Sequence, residues 1–187
     1  MSQLAEHLPH YTFSERHWIR IRASPDDVIR TVLNFGRAPD RLKDALMALR
    51  TIPARMLGRE VRALDFTPLY CDEKSETVAG LIGRFWQLDG GLVPTPDAEA
   101  FARFSEPGTP KLVIGYSAKP DPIGTLLTTE TRVFCPDRYS LLRFTPYWML
   151  IRIPSGLIRR RTLKAIKAAA ENRKAGPSAT AEKWGGG

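Results

Sequence analysis

Residues 111–135 read KLVIGYSAKPDPIGTLLTTETRVFC, and this stretch decides the fold class. Two runs rich in apolar and β-branched residues flank a cluster of proline, aspartate and glycine at 120–124. Runs of this length on either side of turn-forming residues are typical of antiparallel strands joined by a short turn. The stretch therefore predicts two neighbouring strands of an antiparallel sheet.

Similar runs precede this pair of strands, and turn-forming residues separate them as well. They are LDFTPLYC at 64–71, TVAGLIGRFWQL at 77–88 and AFARFS at 100–105. Further upstream, residues 13–22 alternate with a period of two, which indicates a half-buried strand. We expect an antiparallel sheet of about seven strands. Gly80 and Gly83 inside one run indicate the bends of a curved sheet.

Helical patterns flank the strands. Ser24 is a suitable N-cap for a short helix after the first strand, and further helical turns are expected at 40–49 and 53–58. A long apolar stripe after the last strand predicts a C-terminal helix, in which Pro146 and Pro154 should each cause a kink or a break. Only this helix is long enough to cover the apolar face of the sheet. The order of elements therefore predicts an α+β domain whose sheet wraps the final helix.

The composition fits one globular domain with loose ends. The chain has 187 residues, a hydrophobic fraction of 43% and a formal net charge of +8. We expect a loose N-terminus at 1–11, the domain at 12–171 and a disordered tail at 172–187. No stretch approaches the roughly 18 apolar residues that a membrane span needs, and we see no signal peptide, so we expect a cytoplasmic protein. Cys71 and Cys135 lie in no Cys/His cluster, so we expect two buried thiols and no zinc or redox motif.

Residues 17–28 read HWIRIRASPDDV and, with the order of the elements, carry a family resemblance. They resemble the Bet v 1-like or START-like (SRPBCC) superfamily of helix-grip proteins, over about residues 12–171. The blocks at 80–86, 106–108, 129–133 and 155–160 look like a bacterial branch of that superfamily. Members bind lipids, sterols, polyketides or plant hormones, and some are cyclases or hydrolases. The resemblance therefore implies a helix-grip fold with a ligand cavity, and no particular reaction.

Large apolar side chains could enclose such a ligand. The candidates are Phe85, Ile114, Tyr116 and Leu127 on the sheet, and Leu142, Trp148 and Met149 on the long helix. Apolar walls with a few polar groups are what a hydrophobic ligand requires. The alternative is that these side chains only pack against one another. We favour the cavity because of the fold.

Polar candidates for orienting the ligand are few. Glu130 and Arg132 are two apart on a strand and so share a face. On the inner face they could bind a carboxylate or hydroxyl, but the opposite face of that strand is the more apolar one. We therefore favour an outer, surface position for the pair. His17 falls on the apolar face of the first strand, where a hydrogen-bonded core histidine is the favoured interpretation.

An enzyme is the alternative to a binding protein. It would use His17 and Glu130, with Tyr116 or Asp89, as acid and base. Such chemistry requires at least two titratable groups that converge on one cavity. No nucleophile motif, metal-ligand spacing or phosphate-binding loop supports it, and we expect neither a metal nor a cofactor.

The positive charge is concentrated in the C-terminal helix. Residues 159–174 hold seven basic residues against one acidic residue. The candidates for contact with an anionic surface are Arg159, Arg160, Arg161, Lys164 and Lys167. They could contact anionic lipid headgroups, which would suit a carrier of lipids. Nucleic acid is not favoured, because aromatic side chains do not interleave with the charges. The simpler interpretation is a solvated helix face.

These observations favour a binding or carrier protein for a small hydrophobic ligand, such as a lipid, isoprenoid or polyketide-like molecule. The alternatives are a cyclase, dehydratase or hydrolase that uses polar cavity residues, and a module that binds a partner through the basic helix. The sequence does not indicate the oligomeric state.

Overall fold

A computed structural model describes residues 2–37, 66–87 and 91–175 of the chain and shows an α+β protein. In chain order the elements are α1 (Gln3–His7), β1 (Phe13–Ile21), α2 (Pro25–Arg37), β2 (Thr67–Cys71), β3 (Glu76–Gly83), β4 (Leu92–Val93), α3 (Ala98–Arg103), β5 (Lys111–Asp121), β6 (Gly124–Phe134) and α4 (Arg138–Ala175). Some predictions concern residues outside the described ranges: the helical turns at 40–49 and 53–58, the candidate Asp89 and most of the tail.

The strands form one open antiparallel sheet. The strand order is β1-β6-β5-β3-β2, and β4 pairs with β3. The predicted hairpin is confirmed, since β5 and β6 pair from Lys111 opposite Phe134 to Asp121 opposite Gly124. Gly124 has φ of 140°, and a Cβ there would lie 2.4 Å from the carbonyl oxygen of Ile21, so the turn requires glycine. The described residues hold six strands, not the seven expected.

One expected strand is a helix. Residues 100–105 belong largely to α3, whose N-cap Asp97 accepts a hydrogen bond from the backbone N–H of Ala100 at 2.7 Å. That cap satisfies an amide that would otherwise lack a partner and so stabilises the first turn. The run AFARFS was expected to be a strand because it is a short apolar run between turn-forming residues. In the structure Phe101 is instead the buried contact of a short helix.

The sheet has two covered faces. The inner face, which α2 and α4 cover, carries the alternate residues of β1 that begin with Phe13 and end with Ile21. This alternation matches the prediction. Along β6 the inner residues are Thr125, Leu127, Thr129, Thr131 and Val133, all of them buried. Ser24 caps α2 as predicted, because its hydroxyl accepts the backbone N–H of Asp27 at 3.3 Å.

Over β2, β3 and β5 the outer face of the sheet is covered by α1 and α3, which the sequence did not predict, whereas Trp18 on the outer face of β1 is 60% exposed. Leu4 and Leu8 from the N-terminal segment and Phe101 from α3 pack on Val78, Leu69, Ile82 and Val113. Gly80 makes room for α3, because a Cβ at this position would lie 2.7 Å from the Phe101 ring. The N-terminal residues 1–11 were expected to be loose. This prediction is wrong for α1, which packs in the core.

The C-terminal helix α4 runs from Arg138 to Ala175 without a break, although it contains Pro146 and Pro154. Of the two alternatives expected at each proline, a kink or a break, the break is therefore wrong. Both prolines are exposed, so the carbonyl groups that lose an N–H partner lie on the side open to water. The expected cap is confirmed, since Asp137 accepts the backbone N–H of Ser140 at 2.7 Å. Helix α4 is also continuous through position 172, where the tail was expected to begin.

Two further expectations concern the thiols and the membrane. Both cysteines are free, but only Cys135 is buried, and Cys71 is exposed at the end of β2. Burial raises the pKa of the Cys135 thiol to about 11, so this thiol stays protonated at neutral pH. Within the described ranges, no helix has the length and hydropathy needed to cross a bilayer.

Candidate functional site

A band of polar side chains crosses the inner face of the sheet. In the register of β1, β6, β5 and β3, one row is His17, Thr129, Tyr116 and Thr77, and the next is Glu15, Thr131 and Ile114. The rows on either side are apolar: Ile19, Leu127 and Ala118 on one side, and Phe13, Val133, Leu112 and Leu81 on the other. The polar band therefore separates two apolar clusters beneath α4. Burial of polar groups at the centre of a core costs stability unless each finds a partner.

Glu15 and His17 form a buried pair within the band. His17 Nε2 lies 2.7 Å from Glu15 Oε1, and the two side chains are 14% and 9% exposed. They share a face because they are two apart on β1. Helix α4 passes directly above them at Gly156, where a Cβ would lie 3.0 Å from Glu15 Oε1. Glycine at this position therefore lets the helix approach the pair closely.

Arg159 reaches the band from α4, one turn after Gly156. Its Nη1 donates to the Thr129 hydroxyl at 3.3 Å, whereas its buried Nε has no hydrogen-bond partner. Burial lowers the pKa of the guanidinium, and attraction to Tyr116 and Glu15 opposes this effect. Arginine stays protonated in proteins even so. Among the ion pairs within 4 Å that the described part of the chain forms, none includes Arg159.

A second polar atom in the band also lacks a partner. The Thr131 hydroxyl is buried without a hydrogen bond, two residues along β6 from the Thr129 that Arg159 contacts. A buried polar group left unsatisfied costs about 1–3 kcal/mol. Both unpaired groups can donate, and one of them is cationic. The arrangement is therefore suited to an acceptor oxygen, above all that of an anion.

The described residues do not fully cover the inner face of the sheet beside the polar band. Thr77 and Ala79 on β3 and Ile114 and Tyr116 on β5 lie on the inner face, yet each of them is only half-buried. Their neighbours on the outer face, among them Val78 and Val113, are fully buried. The inner face thus presents a mainly apolar, partly open strip next to Arg159. Such a strip can receive an apolar body whose polar end lies in the band.

The structure places the predicted apolar candidates in four different environments. Phe85 and Trp148 are buried in one aromatic cluster with Phe144, which is 6.1 Å from Phe85 and 5.9 Å from Trp148 between ring centroids. Leu127 is buried in the other cluster, and Ile114 and Tyr116 form the partly open strip. Leu142 and Met149 were expected to face the sheet, but they are 72% and 64% exposed. Helix α4 is apolar on both sides, so its hydrophobic pattern did not reveal which side is buried.

Glu130 and Arg132 lie on the outer face, as favoured from the sequence. Arg132 Nε donates to Glu130 Oε1 at 2.7 Å, and Arg16 Nε donates to Glu130 Oε2 at 2.8 Å. The Arg132 guanidinium also lies 4.6 Å from the centroid of the Tyr11 ring. Burial alone would raise the pKa of Glu130, but the two arginines lower it below its usual value. This cluster is therefore structural and lies on the opposite face of the sheet from the polar band, which leaves Glu130 without a place in acid–base chemistry on the inner face.

Glu130→Gln should lower the free energy of unfolding at pH 7 by about 1.5 kcal/mol, because two arginines lose a charged acceptor. The folded-state pKa of Glu130 is depressed, so its contribution is present above the unfolded pKa and is lost as pH falls through the folded pKa. The difference between wild type and variant should accordingly shrink in acid. Urea unfolding at a series of pH values measures it. Glu99→Gln, which disrupts only the exposed pair with Arg103, is the control and should change little. A constant difference at all pH values would contradict this account.

The basic side chains of α4 do not form one solvated group. Arg160, Arg161 and Lys164 are exposed as expected, and Lys167 is half-buried with its Nζ 3.8 Å from Glu171. Arg159 is the exception, since it points into the protein and contacts Thr129. Its assignment to the anion-contacting surface is therefore wrong. Helical periodicity puts residue 159 on the side of the buried Leu163 and Ile166.

Most of the polar band was not predicted from the sequence. His17 and Tyr116 were candidates, but no role was predicted for Glu15, Thr129 or Thr131. The alternation of β1 could have indicated Glu15, because it places this residue on the same face as His17. The spacing of Arg159 from Leu163 could have indicated its burial. The two threonines gave no signal, because threonine is common on both faces of strands.

Comparisons with known proteins do not supply a function. No protein-family model matches the chain, and no curated protein matches it either. Within the described ranges, no group of three or more His, Cys, Asp or Glu side chains could hold a metal ion. The polar band has to be interpreted from its own geometry.

Proposed function

We propose that the chain binds a small amphipathic ligand, with an apolar body and an anionic group such as a carboxylate, between the inner face of the sheet and α4. The anionic group would accept hydrogen bonds from Arg159 and Thr131. One observation carries the proposal: the Nε of Arg159 is buried, charged and without a partner. The carrier function expected from the sequence is thereby narrowed to ligands with an acidic end.

The energetics favour an anion over a neutral polar group. A charge taken out of water is stabilised mainly by a counter-charge and by complete hydrogen bonding. Arg159 has the Thr129 hydroxyl, and Glu15 is held by His17. A ligand carboxylate at Arg159 would add a counter-charge to that of Glu15 and would supply the missing acceptor for Nε. Charge-assisted hydrogen bonds of this kind are about twice as strong as neutral ones.

The apolar part of the ligand would lie on the partly open strip of β3 and β5. Ala79, Ile114 and the ring of Tyr116 offer apolar surface next to the polar band. Burial of each methylene group contributes about 0.8 kcal/mol, so a chain of several carbons is enough for useful affinity. The aromatic cluster around Phe144 and Trp148 would close one side of the site.

The arrangement also supports the helix-grip proposal. A first strand, a following helix, an antiparallel sheet and a final helix over the inner face are the elements of that fold. Membership of the SRPBCC superfamily is part of this proposal and rests on the resemblance of residues 17–28 and on the element order.

The Glu15–His17 pair favours a second candidate function, an enzyme that uses His17 as acid or base. A carboxylate that orients an imidazole is a frequent feature of such sites. The test is to incubate the protein with whatever it retains on purification and to follow that molecule by mass spectrometry. Conversion by wild type but not by His17→Gln, with equal binding, would support the enzyme. An unchanged ligand would leave the carrier function.

The experiment for binding uses decanoate as the probe, with decanol as its uncharged counterpart. Displacement of the apolar, anionic dye anilinonaphthalene sulfonate measures affinity. Decanoate should bind more tightly than decanol to the wild type. Arg159→Gln should weaken decanoate binding about tenfold and leave decanol unchanged, because it removes a charged donor. Arg161→Gln removes an exposed cation two residues away and is the matched control.

The outcomes are distinct. Equal affinity for decanoate and decanol would show that no anion site exists on the inner face. A loss of decanoate affinity in Arg161→Gln as large as in Arg159→Gln would show that surface charge attracts the probe. Absence of any bound molecule in native mass spectrometry, together with no dye displacement, would contradict the binding function altogether.

A further inference from the structure

Helix α4 exposes a row of large aliphatic side chains on the side away from the sheet. They are Leu142 (72% exposed), Met149 (64%), Leu150 (76%), Ile153 (73%) and Leu157 (62%). Their spacing of three, four or seven residues places them along one side of the helix. This apolar ridge spans about 22 Å at the usual helical rise. Single exposed apolar residues are ordinary, but a continuous row on one element indicates a binding surface.

The charges that border the apolar ridge all have one sign. Arg160, Arg161 and Lys164 are exposed and continue the same side of α4 directly after Leu157. Arg143 is exposed alongside it. Between Asp137 and Glu171 the sequence contains no acidic residue. The surface of α4 therefore combines an apolar ridge with a basic border that no acidic residue between positions 138 and 170 of the helix neutralises.

We propose that the apolar ridge and its basic border dock the protein on an anionic lipid surface. An amphipathic helix with aliphatic residues on one face and Lys or Arg beside them lies in the interface of a membrane. The leucine and isoleucine side chains would enter the acyl boundary, and the arginines and Lys164 would contact lipid phosphates or carboxylates. Docking in this way requires no spanning helix and is independent of the ligand site beneath the opposite side of α4.

The composition of the ridge selects lipid over other anionic partners. Proteins that bind single-stranded nucleic acid stack bases on aromatic rings, whereas the ridge is aliphatic. A second copy of this chain would bring a second basic border with the same sign of charge to the contact. An anionic bilayer matches both the aliphatic ridge and the basic border, because it combines an apolar acyl region with negative headgroups.

The test measures partition of the full chain onto vesicles of phosphatidylcholine alone and of phosphatidylcholine mixed with phosphatidylserine, by flotation at physiological salt. The wild type should bind the mixed vesicles at least about tenfold more tightly. Leu150→Ser with Ile153→Ser should reduce binding to the mixed vesicles by about tenfold or more. Arg160→Gln with Arg161→Gln should remove most of the preference for phosphatidylserine.

Exposed residues elsewhere provide matched controls. Ile123, which is 53% exposed in the β5–β6 turn, is replaced by serine to match Ile153→Ser. Lys74→Gln with Lys119→Gln removes the same net charge from the strand side of the protein. Both controls should bind the mixed vesicles like the wild type. Because every substituted side chain is exposed, folding should be preserved, and circular dichroism checks this.

Three outcomes would overturn the proposal. The first is no binding to either vesicle, and the second is an equal loss in the ridge variants and their controls. The third is a dimer in analytical ultracentrifugation that Leu150→Ser with Ile153→Ser dissociates, which would assign the ridge to a second copy. Decanoate binding is measured without vesicles, so failure of the ligand proposal and failure of the docking proposal are separable.

Discussion

Phe101→Ala should lower the free energy of unfolding by about 4 kcal/mol. Phe101 is 1% exposed and is the central contact between α3 and the outer face of the sheet. Its ring fills the space that Gly80 leaves above β3, and the Lys111 ammonium lies 5.3 Å from the ring centroid. Truncation would remove the transfer free energy of a whole ring and leave a cavity. Because α3 has only six residues, it cannot collapse into that space without losing its own turns.

Urea denaturation of the wild type and the variant measures this effect. Arg103→Ala, on the same short helix but exposed, should change the free energy of unfolding by less than about 0.5 kcal/mol. Gly80→Ala should destabilise the wild type, because its Cβ would meet the Phe101 ring, and should cost less beside Phe101→Ala, where the contact with Leu69 Cδ1 at 2.9 Å remains. A loss below about 1 kcal/mol for Phe101→Ala would mean that α3 is not part of the folded core.

The inner half of the fold could be predicted because its patterns are long. The patterns in β1, with nine residues, and in β5 and β6, with eleven each, are long enough to show the two-residue period of a strand. The outer layer could not, because α1 has five residues and α3 six, too few for a helical period to be visible. The sheet was therefore expected to bury one face only. Burial of Val78 and Val113 on the other face shows why the N-terminal segment folds back.

The candidate site was harder to predict than the fold, since it depends on orientation within a helix. Arg159, Arg160 and Arg161 are chemically identical, yet only the first points at the sheet. Leu142 and Met149 have the residue types of a cavity wall but lie on the opposite side of α4. Such distinctions follow from how α4 is rotated against β1, and Gly156 over the Glu15–His17 pair marks that contact. The N-terminal half of α4 has apolar residues on both sides, so its hydrophobic pattern does not encode this rotation, whereas the spacing of Arg159 from Leu163 does.

Arg159→Met should raise the free energy of unfolding of the ligand-free protein by about 2 kcal/mol. Methionine retains most of the apolar stem and removes a desolvated charge whose Nε has no acceptor. The Thr129 hydroxyl loses one donor and Glu15 loses the attraction of the guanidinium, but Glu15 keeps its contact with His17, so the remaining polar band stays largely paired. Replacement of a purely structural arginine would instead destabilise the protein, because its hydrogen bonds would be lost without compensation. Thermal and urea unfolding of both proteins, stripped of bound molecules, provide the measurement.

Addition of ligand should make the wild type more stable than Arg159→Met. Decanoate at a hundredfold excess over its Kd should stabilise the wild type by about 2.7 kcal/mol, whereas the variant, which lacks the anion contact, should gain much less. Arg161→Met, with its exposed charge, should match the wild type in both conditions. Such a residue lowers the free energy of unfolding of the ligand-free protein and raises that of the complex. It is retained for binding, because selection for stability alone would remove it. A destabilised Arg159→Met that still gains fully from decanoate would show that the unpaired guanidinium has some other role in the fold.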